Sequence, residues 1–174
     1  ASSGEVAIEL DLKGPNIGFS CGGCSANHSI IQAFNAIQQH DIDVIVVGGT
    51  EAPLLPWVFQ EVKHKGLFHE KTLSLNRASC PFDIERKGFI LSEGAGIVIL
   101  ETLSSAEKRG ADVYGELVGF GASYTNNDYN HHKNPGFYSK VSCIKQALES
   151  ASADSSNVDY INASGLSGIQ EDRE

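Results

Sequence analysis

Apolar residues recur at Ile30, Ala33, Phe34 and Ile37, a helical spacing that predicts a helix from Cys24 to about Gln39, packed by one face. Upstream, Val6, Ala7, Ile8 and Leu10 predict a short helix, capped by Ser2 or Ser3 and stopped by Gly14-Pro15. Asn16–Ser20 reads as a short strand. Asp43–Gly49, "DVIVVGG", reads as a fully apolar strand in a buried central position. Pro53 and Pro56 open a helix from Trp57 to about Lys65, where Trp57 and Phe59 fit helix packing. Arg77–Gly88 reads as loop and turn. Gly88–Glu101 reads as a strand interrupted by a glycine-rich turn, with Gly94 and Gly96 permitting the tight turning. Leu103–Arg109 follows as a short helix, Val113–Tyr124 as a long strand and Tyr124–Gly136 as a polar loop. Val141, Ile144, Leu148 and Ala151 mark a further helix, and Val158–Ser164 a last strand. Helices alternate with apolar strands, so the expected class is α/β, with layers on both sides of a sheet.

The 174 residues suffice for one ordinary domain with its own core. No run approaches the ~18 consecutive apolar residues of a membrane span. No basic start leads into an apolar signal segment. No membrane partner is expected, and the cytoplasm is the expected compartment. A net charge of -9 argues against nucleic acid as a main partner. An acidic protein partner would need a local basic patch, for which Lys108 and Arg109 are weak candidates. The chain contains no methionine and opens at Ala1 on a helix start, which suggests a segment of something longer.

The chemistry concentrates in Ser20–Ser29, "SCGGCSANHS". Cys21 and Cys24 have the spacing of half a zinc site, but Cys80 and Cys143 are isolated and supply no second pair. His131-His132 lie in the polar loop with Tyr124 and Tyr129 and read as solvated, so no metal is expected. A thioredoxin-like redox pair is disfavoured by the flanking pattern and by the two intervening glycines. Two readings stay open. A sharp strand-to-helix turn of small residues can simply bring the backbone close to something, with the cysteines as small buried side chains. The same turn can present a nucleophile, because backbone N–H groups at a helix start favour an anion.

Several blocks in order carry a resemblance: "LKGPNIGFS", "VIVVGGTEA", "RASCPFDIERKGFILSEGAGIVILE", "KRGADVYGELVGFG" and "VDYINASG". From about Gly4 to Glu174 the chain resembles the β-ketoacyl–acyl carrier protein synthases, the condensing enzymes of fatty acid and polyketide synthesis. The resemblance implies a thiolase-like fold of five αβαβα layers. Residues 1–174 would be one partial domain: the end of its N-terminal half and the start of its C-terminal half. It implies no cofactor.

In that family the nucleophilic cysteine lies eight residues after the proline of Gly-Pro, often with a histidine five residues later. Counted from Pro15 and back from His28, both rulers fall on Gly23, flanked by Cys21 and Cys24. The family's "Asn-Ala-His-Gly" reads Asn162-Ala163-Ser164-Gly165 here, so Ser164 stands where the catalytic histidine is expected. A glycine forms no thioester, and a serine hydroxyl is a weaker donor than an imidazole and carries no charge. Both losses resemble the chain length factor of type II polyketide ketosynthases. That subunit pairs with an active ketosynthase and works with an acyl carrier protein. The resemblance then implies no catalytic residue in this chain and a dimer interface at Asn16, Ile17, Gly18, Phe19 and Ser20, for which an ordinary internal strand is an equal reading. The alternative is an active β-ketoacyl synthase, or malonyl decarboxylase, that uses Cys24 as its nucleophile. Glu51 and Glu93 are expected to be buried carboxylates bonding loop N–H groups.

Overall fold

The computed structural model describes residues 2–39, 42–67, 77–124, 135–169 and 172. His131, His132 and Tyr129 lie outside them. The described residues form two compact units: Ala1–Glu51 with Gly94–Glu116, and Ala52–Glu93 with Leu117–Glu174.

The first unit holds α1 (Ser2–Glu9), α2 (Ser25–Gln38), β1 (Val44–Glu51), β2 (Gly94–Glu101) and α4 (Leu103–Arg109). The second holds α3 (Pro56–His64), α5 (Pro135–Ser150) and a single 3-10 turn, Ser155–Asn157. The five described helices lie where periodicity and punctuation predict them, although α5 begins at Pro135, at the end of the expected Tyr124–Gly136 loop and ahead of its first apolar marker, Val141.

Four of the five described helices end on one device. Asp11, Gly66, Gly110 and Ser152 adopt positive φ just past α1, α3, α4 and α5. In α1, the Leu12 N–H reaches back to the Ala7 carbonyl (2.8 Å) and Asp11 N–H to Ile8 (3.2 Å). Ala111 and Gly110 bond Ala106 and Glu107 in the same way after α4, and Ala153 and Ser152 bond Leu148 and Glu149 after α5. These left-handed closures occupy carbonyls that a helix end leaves free. They correct one expectation: α1 is stopped at Asp11, ahead of Gly14-Pro15. At the other end of α4, the Thr102 hydroxyl accepts from the Ser105 N–H, which satisfies an orphan donor of the first turn.

β1 and β2 pair antiparallel from Val44↔Glu101 to Glu51↔Gly94, a two-stranded sheet. The long strand expected from Gly88 to Glu101 therefore begins only at Gly94. Gly94 and Gly96 lie inside it and make no turn. Asn16–Ser20, Val113–Tyr124 and Val158–Ser164, expected as strands, have no ladder partner among the described residues. A strand is defined by its hydrogen-bonded neighbour, which an alternation pattern cannot supply. β1 is also less buried than its apolar run suggests, with Val47 its one buried residue. Trp57, expected in helix packing, is 65% exposed.

The close approach that matters is at Gly48 and Gly49. A Cβ on Gly49 would stand 2.7 Å from the Ala26 Cβ of α2, and one on Gly48 would meet the Gly96 carbonyl oxygen at 2.0 Å. Ser29 of α2 donates to the Gly48 carbonyl at 3.1 Å, pinning the first turns of the helix to the strand. Ala33 of α2 and Val47 of β1 are the buried members of this layer.

Three substitutions test this account of the backbone. Gly48→Ala should lower stability by about 2 kcal/mol or more, because a backbone oxygen cannot step aside as a side chain does. Gly96→Ala, whose Cβ would meet nothing within 4 Å, should cost far less in the same denaturant titration. Ser152→Gly should raise stability by roughly 1 kcal/mol, by relieving a serine held at φ 52°.

Candidate functional site

The turn before α2 is built by its own polar groups. Gly22 takes φ +68°, a conformation that side-chain-bearing residues resist. The Ser25 hydroxyl accepts from the Cys21 N–H (2.8 Å) and donates to the Gly22 carbonyl (2.7 Å), closing the chain over Gly23. Cys24 is the residue that caps α2, and its thiol donates to the Cys21 carbonyl at 3.1 Å. Cys21 and Cys24 are both free and exposed. The expectation of small cysteines buried in packing is therefore corrected for this pair, among the described residues. The turn backbone satisfies itself locally, so nothing needs to cover the thiols.

Gly23 differs from Gly22. Its φ lies outside the left-handed region, and a Cβ placed there would meet nothing within 4 Å. Neither backbone nor space among the described residues requires a glycine at this position. The ring of Phe19 meets that of His28 edge-on, with centroids 5.7 Å apart. Phe19 thereby fastens the segment before the turn to the first turns of α2. Asn16 donates from its amide to the Ser3 carbonyl at 2.9 Å. Apart from half-buried Phe19, the segment Asn16–Ser20 is exposed.

Ser164 belongs to the second unit. It is exposed, with φ 52°, and its N–H bonds the Asn162 side chain at 3.3 Å. Histidine is among the few residue types enriched at such φ values, so the backbone does not demand a serine here either. Gly165 is demanded: a Cβ would stand 2.5 Å from the Phe82 ring.

The following residues are held by a network that sequence reasoning missed. Ser167 is fully buried at φ 65°. Its hydroxyl accepts from the Cys80 N–H (3.1 Å), and its carbonyl accepts from the Gly88 N–H (2.9 Å). Asp172 accepts from the N–H groups of Phe82 (2.7 Å) and Leu166 (2.9 Å). The Arg86 guanidinium donates to the carbonyls of Gly168 and Ile169, both at 3.0 Å, and lies 3.7 Å from the Asp172 carboxylate. Burial would raise the Asp172 pKa. The N–H donors of Phe82 and Leu166, the Arg86 charge and the Ser167 N–H outweigh it and hold the carboxyl below its ordinary value. The only sequence signal was "FDIERKG" itself, which names no partner 90 residues away.

Glu93, expected to be a buried carboxylate, is exposed, although it does accept a loop N–H, from Leu54 at 3.2 Å. Glu51 is exposed at the end of β1. Among the described residues no three His, Cys, Asp or Glu side chains gather as a metal site. No described helix is long and apolar enough to cross a membrane.

A depressed carboxylate stabilises the fold above its unfolded pKa, and that contribution is lost as pH falls through its folded value. For Asp172 the loss lies at and below the ordinary value of 3.8. Asp172→Asn should lower Tm at neutral pH and flatten the acid limb of a Tm–pH profile. An unchanged acid limb would show that Asp172 does not carry it.

Comparison with known proteins matches residues 1–106 to the family "Beta-ketoacyl synthase, N-terminal domain" and residues 114–174 to "Beta-ketoacyl synthase, C-terminal domain". The 3-oxoacyl-[acyl-carrier-protein] synthase 2 of Staphylococcus aureus is 35% identical over 172 residues, and that of Coxiella burnetii 37% over 171 residues. Each alignment covers 95% of this chain; it covers 41% of the first relative and 40% of the second. A type II polyketide ketosynthase, solved with its acyl-carrier protein and bound to a hexaketide, aligns at TM-score 0.89 with 33% identity, over 98% of this chain and 42% of that one. The ishigamide ketosynthase/chain length factor aligns at TM-score 0.85 with 28% identity, over 98% and 40%. The thiolase-like ketosynthase fold expected from the sequence is shown, and this chain supplies part of it.

Proposed function

The chain belongs to the beta-ketoacyl synthase family, and we propose that within it this protein is a non-catalytic, chain-length-factor-type subunit. It pairs with an active ketosynthase that condenses malonyl units carried on an acyl carrier protein, and it helps to set the length of the polyketide or polyene. The observation that carries this reading is Gly23. The family's spacing puts the nucleophile there, the backbone would accept a side chain, and open space awaits a Cβ. The side chain is absent although nothing local excludes it. Ser164 supports the same reading from the other unit, because its backbone would accept the expected histidine.

Without a thiolate at residue 23 no acyl-enzyme forms. Without an imidazole at residue 164 the enolate from malonyl decarboxylation loses a charge-bearing donor. Losses of this kind cost orders of magnitude in rate. In this proposal the segment Asn16–Ser20, exposed and without a ladder partner among the described residues, forms the two-fold interface with the ketosynthase. Obligate interfaces bury roughly 2,000 Å² or more, so the full-length protein should run as a heterodimer in light scattering. No metal or cofactor takes part, and the site of action is the cytoplasm.

A second reading rests on Cys24, an exposed free cysteine at the N-cap position of α2, and on the relatives' name as 3-oxoacyl-[acyl-carrier-protein] synthases. In it this chain is an active synthase or malonyl decarboxylase with a displaced nucleophile.

Acyl loading separates the two. The full-length pair is incubated with an acyl carrier protein thioester and analysed by mass spectrometry. Label should appear on the ketosynthase partner alone. An adduct on Cys24, abolished by Cys24→Ala, would establish the second reading instead. Gly23→Cys should not restore condensation in this subunit, because Ser164 still lacks the imidazole. Turnover recovered by that single change would overturn the role given to Ser164.

A further inference from the structure

We infer that Cys21 and Cys24 form a dithiol that exchange with a small-molecule disulfide closes into an intramolecular disulfide. The inference rests on the exposure of the two thiols and on the turn geometry, and it holds whether or not the chain is catalytic. A C-x-x-C spacing by itself says little. The structure adds three facts.

Both thiols are free and exposed, whereas Cys80 and Cys143 are half-buried and engaged with their surroundings. The Cys143 thiol donates to the Gly121 carbonyl at 3.0 Å, and the Cys80 sulfur lies 3.9 Å from the buried Ser167 hydroxyl. The chain is also folded back over the pair. Ser25 bonds both the Cys21 N–H and the Gly22 carbonyl, and the Cys24 sulfur already lies 3.1 Å from the Cys21 carbonyl oxygen. A disulfide requires Cα atoms within about 7 Å, and the approach of the Cys24 sulfur to the Cys21 carbonyl shows that its side chain already turns back toward Cys21. Finally, the two enclosed residues are Gly22 and Gly23, and a Cβ on either would meet nothing within 4 Å. The backbone inside the ring can therefore adjust without steric cost.

The chemistry balances as ordinary exchange. One cysteine thiolate attacks a sulfur of glutathione disulfide, and one glutathione leaves as thiolate and takes up a proton. The second cysteine thiolate attacks the protein sulfur of the mixed disulfide, and the second glutathione leaves in the same way. Two protein S–H groups become one S–S bond, and the disulfide is reduced to two thiols. Closure breaks the hydrogen bond from Cys24 to Cys21 and locks the backbone on either side of Gly23.

The test equilibrates the full-length protein over a range of reduced to oxidised glutathione. Thiols are then alkylated and the peptide spanning residues 21–24 is read by mass spectrometry. The expected product is an unalkylated peptide about 2 Da lighter than the dithiol, restored by reduction, with two thiols lost. Cys21→Ser and Cys24→Ser should each abolish that product, while Cys80→Ser and Cys143→Ser should leave it. Alkylation of both Cys21 and Cys24 at every ratio would overturn the proposal. So would a glutathione adduct that persists on one of them without ring closure. The wild-type peptide decides the matter even where a variant fails to fold.

Discussion

The approach of α2 to β1 is the constraint on which the first unit depends. At Gly49 the strand has no room for a side chain, because the Ala26 methyl occupies the place a Cβ would take. The helix therefore sits on the strand backbone, and Ser29 bonds the Gly48 carbonyl directly. Everything before α2 inherits its position from that contact. The turn at Cys21–Cys24 leads into the helix, and Phe19 is held against His28 one turn inside it. A bulkier strand at residues 48 and 49 would lift the helix and displace the residue at position 23 with it.

The second unit solves a different problem. Its site segment, Ser164–Ile169, contains two serines at positive φ, a costly conformation for any residue with a side chain. The cost is offset by a buried polar network in which Ser167, Asp172 and Arg86 satisfy one another and the local backbone. The Arg86 side chain is 12% exposed and the Asp172 carboxylate wholly shielded. Such groups are tolerated only when their hydrogen bonds are made, and here they are. The exposed pair Arg109–Glu101 contrasts with this: it is open to solvent on the arginine side and adds little.

Under the proposed function, scaffold and chemistry are separate. The left-handed Gly22, the contact of α2 with β1 and the clamped serine loop shape the two segments. In that proposal the reactive groups are what positions 23 and 164 have given up, while the clamps stay.

The helices were legible in the sequence because their causes are local: apolar spacing at Ile30, Ala33, Phe34 and Ile37, Thr102 before α4, Gly110 after it. Counting from Pro15 and His28 to Gly23, and reading "NASG" at Ser164, requires only order along the chain, so both expectations could be drawn from sequence. Strand pairing was not, because a run such as Val113–Tyr124 can alternate correctly and still have no neighbour to bond. Gly94 and Gly96 looked like a turn, although they lie within a ladder, and Gly48 and Gly49 turned out to be the glycines that crowding requires. The clamp on the serine loop joins residues 82 to 90 positions apart, and no periodicity spans that distance. Sequence alone determined what each segment prefers and which residue types stand in the family's motifs. Tertiary structure decided which groups meet, because burial, close approach and hydrogen-bond satisfaction are properties of pairs brought together by the fold.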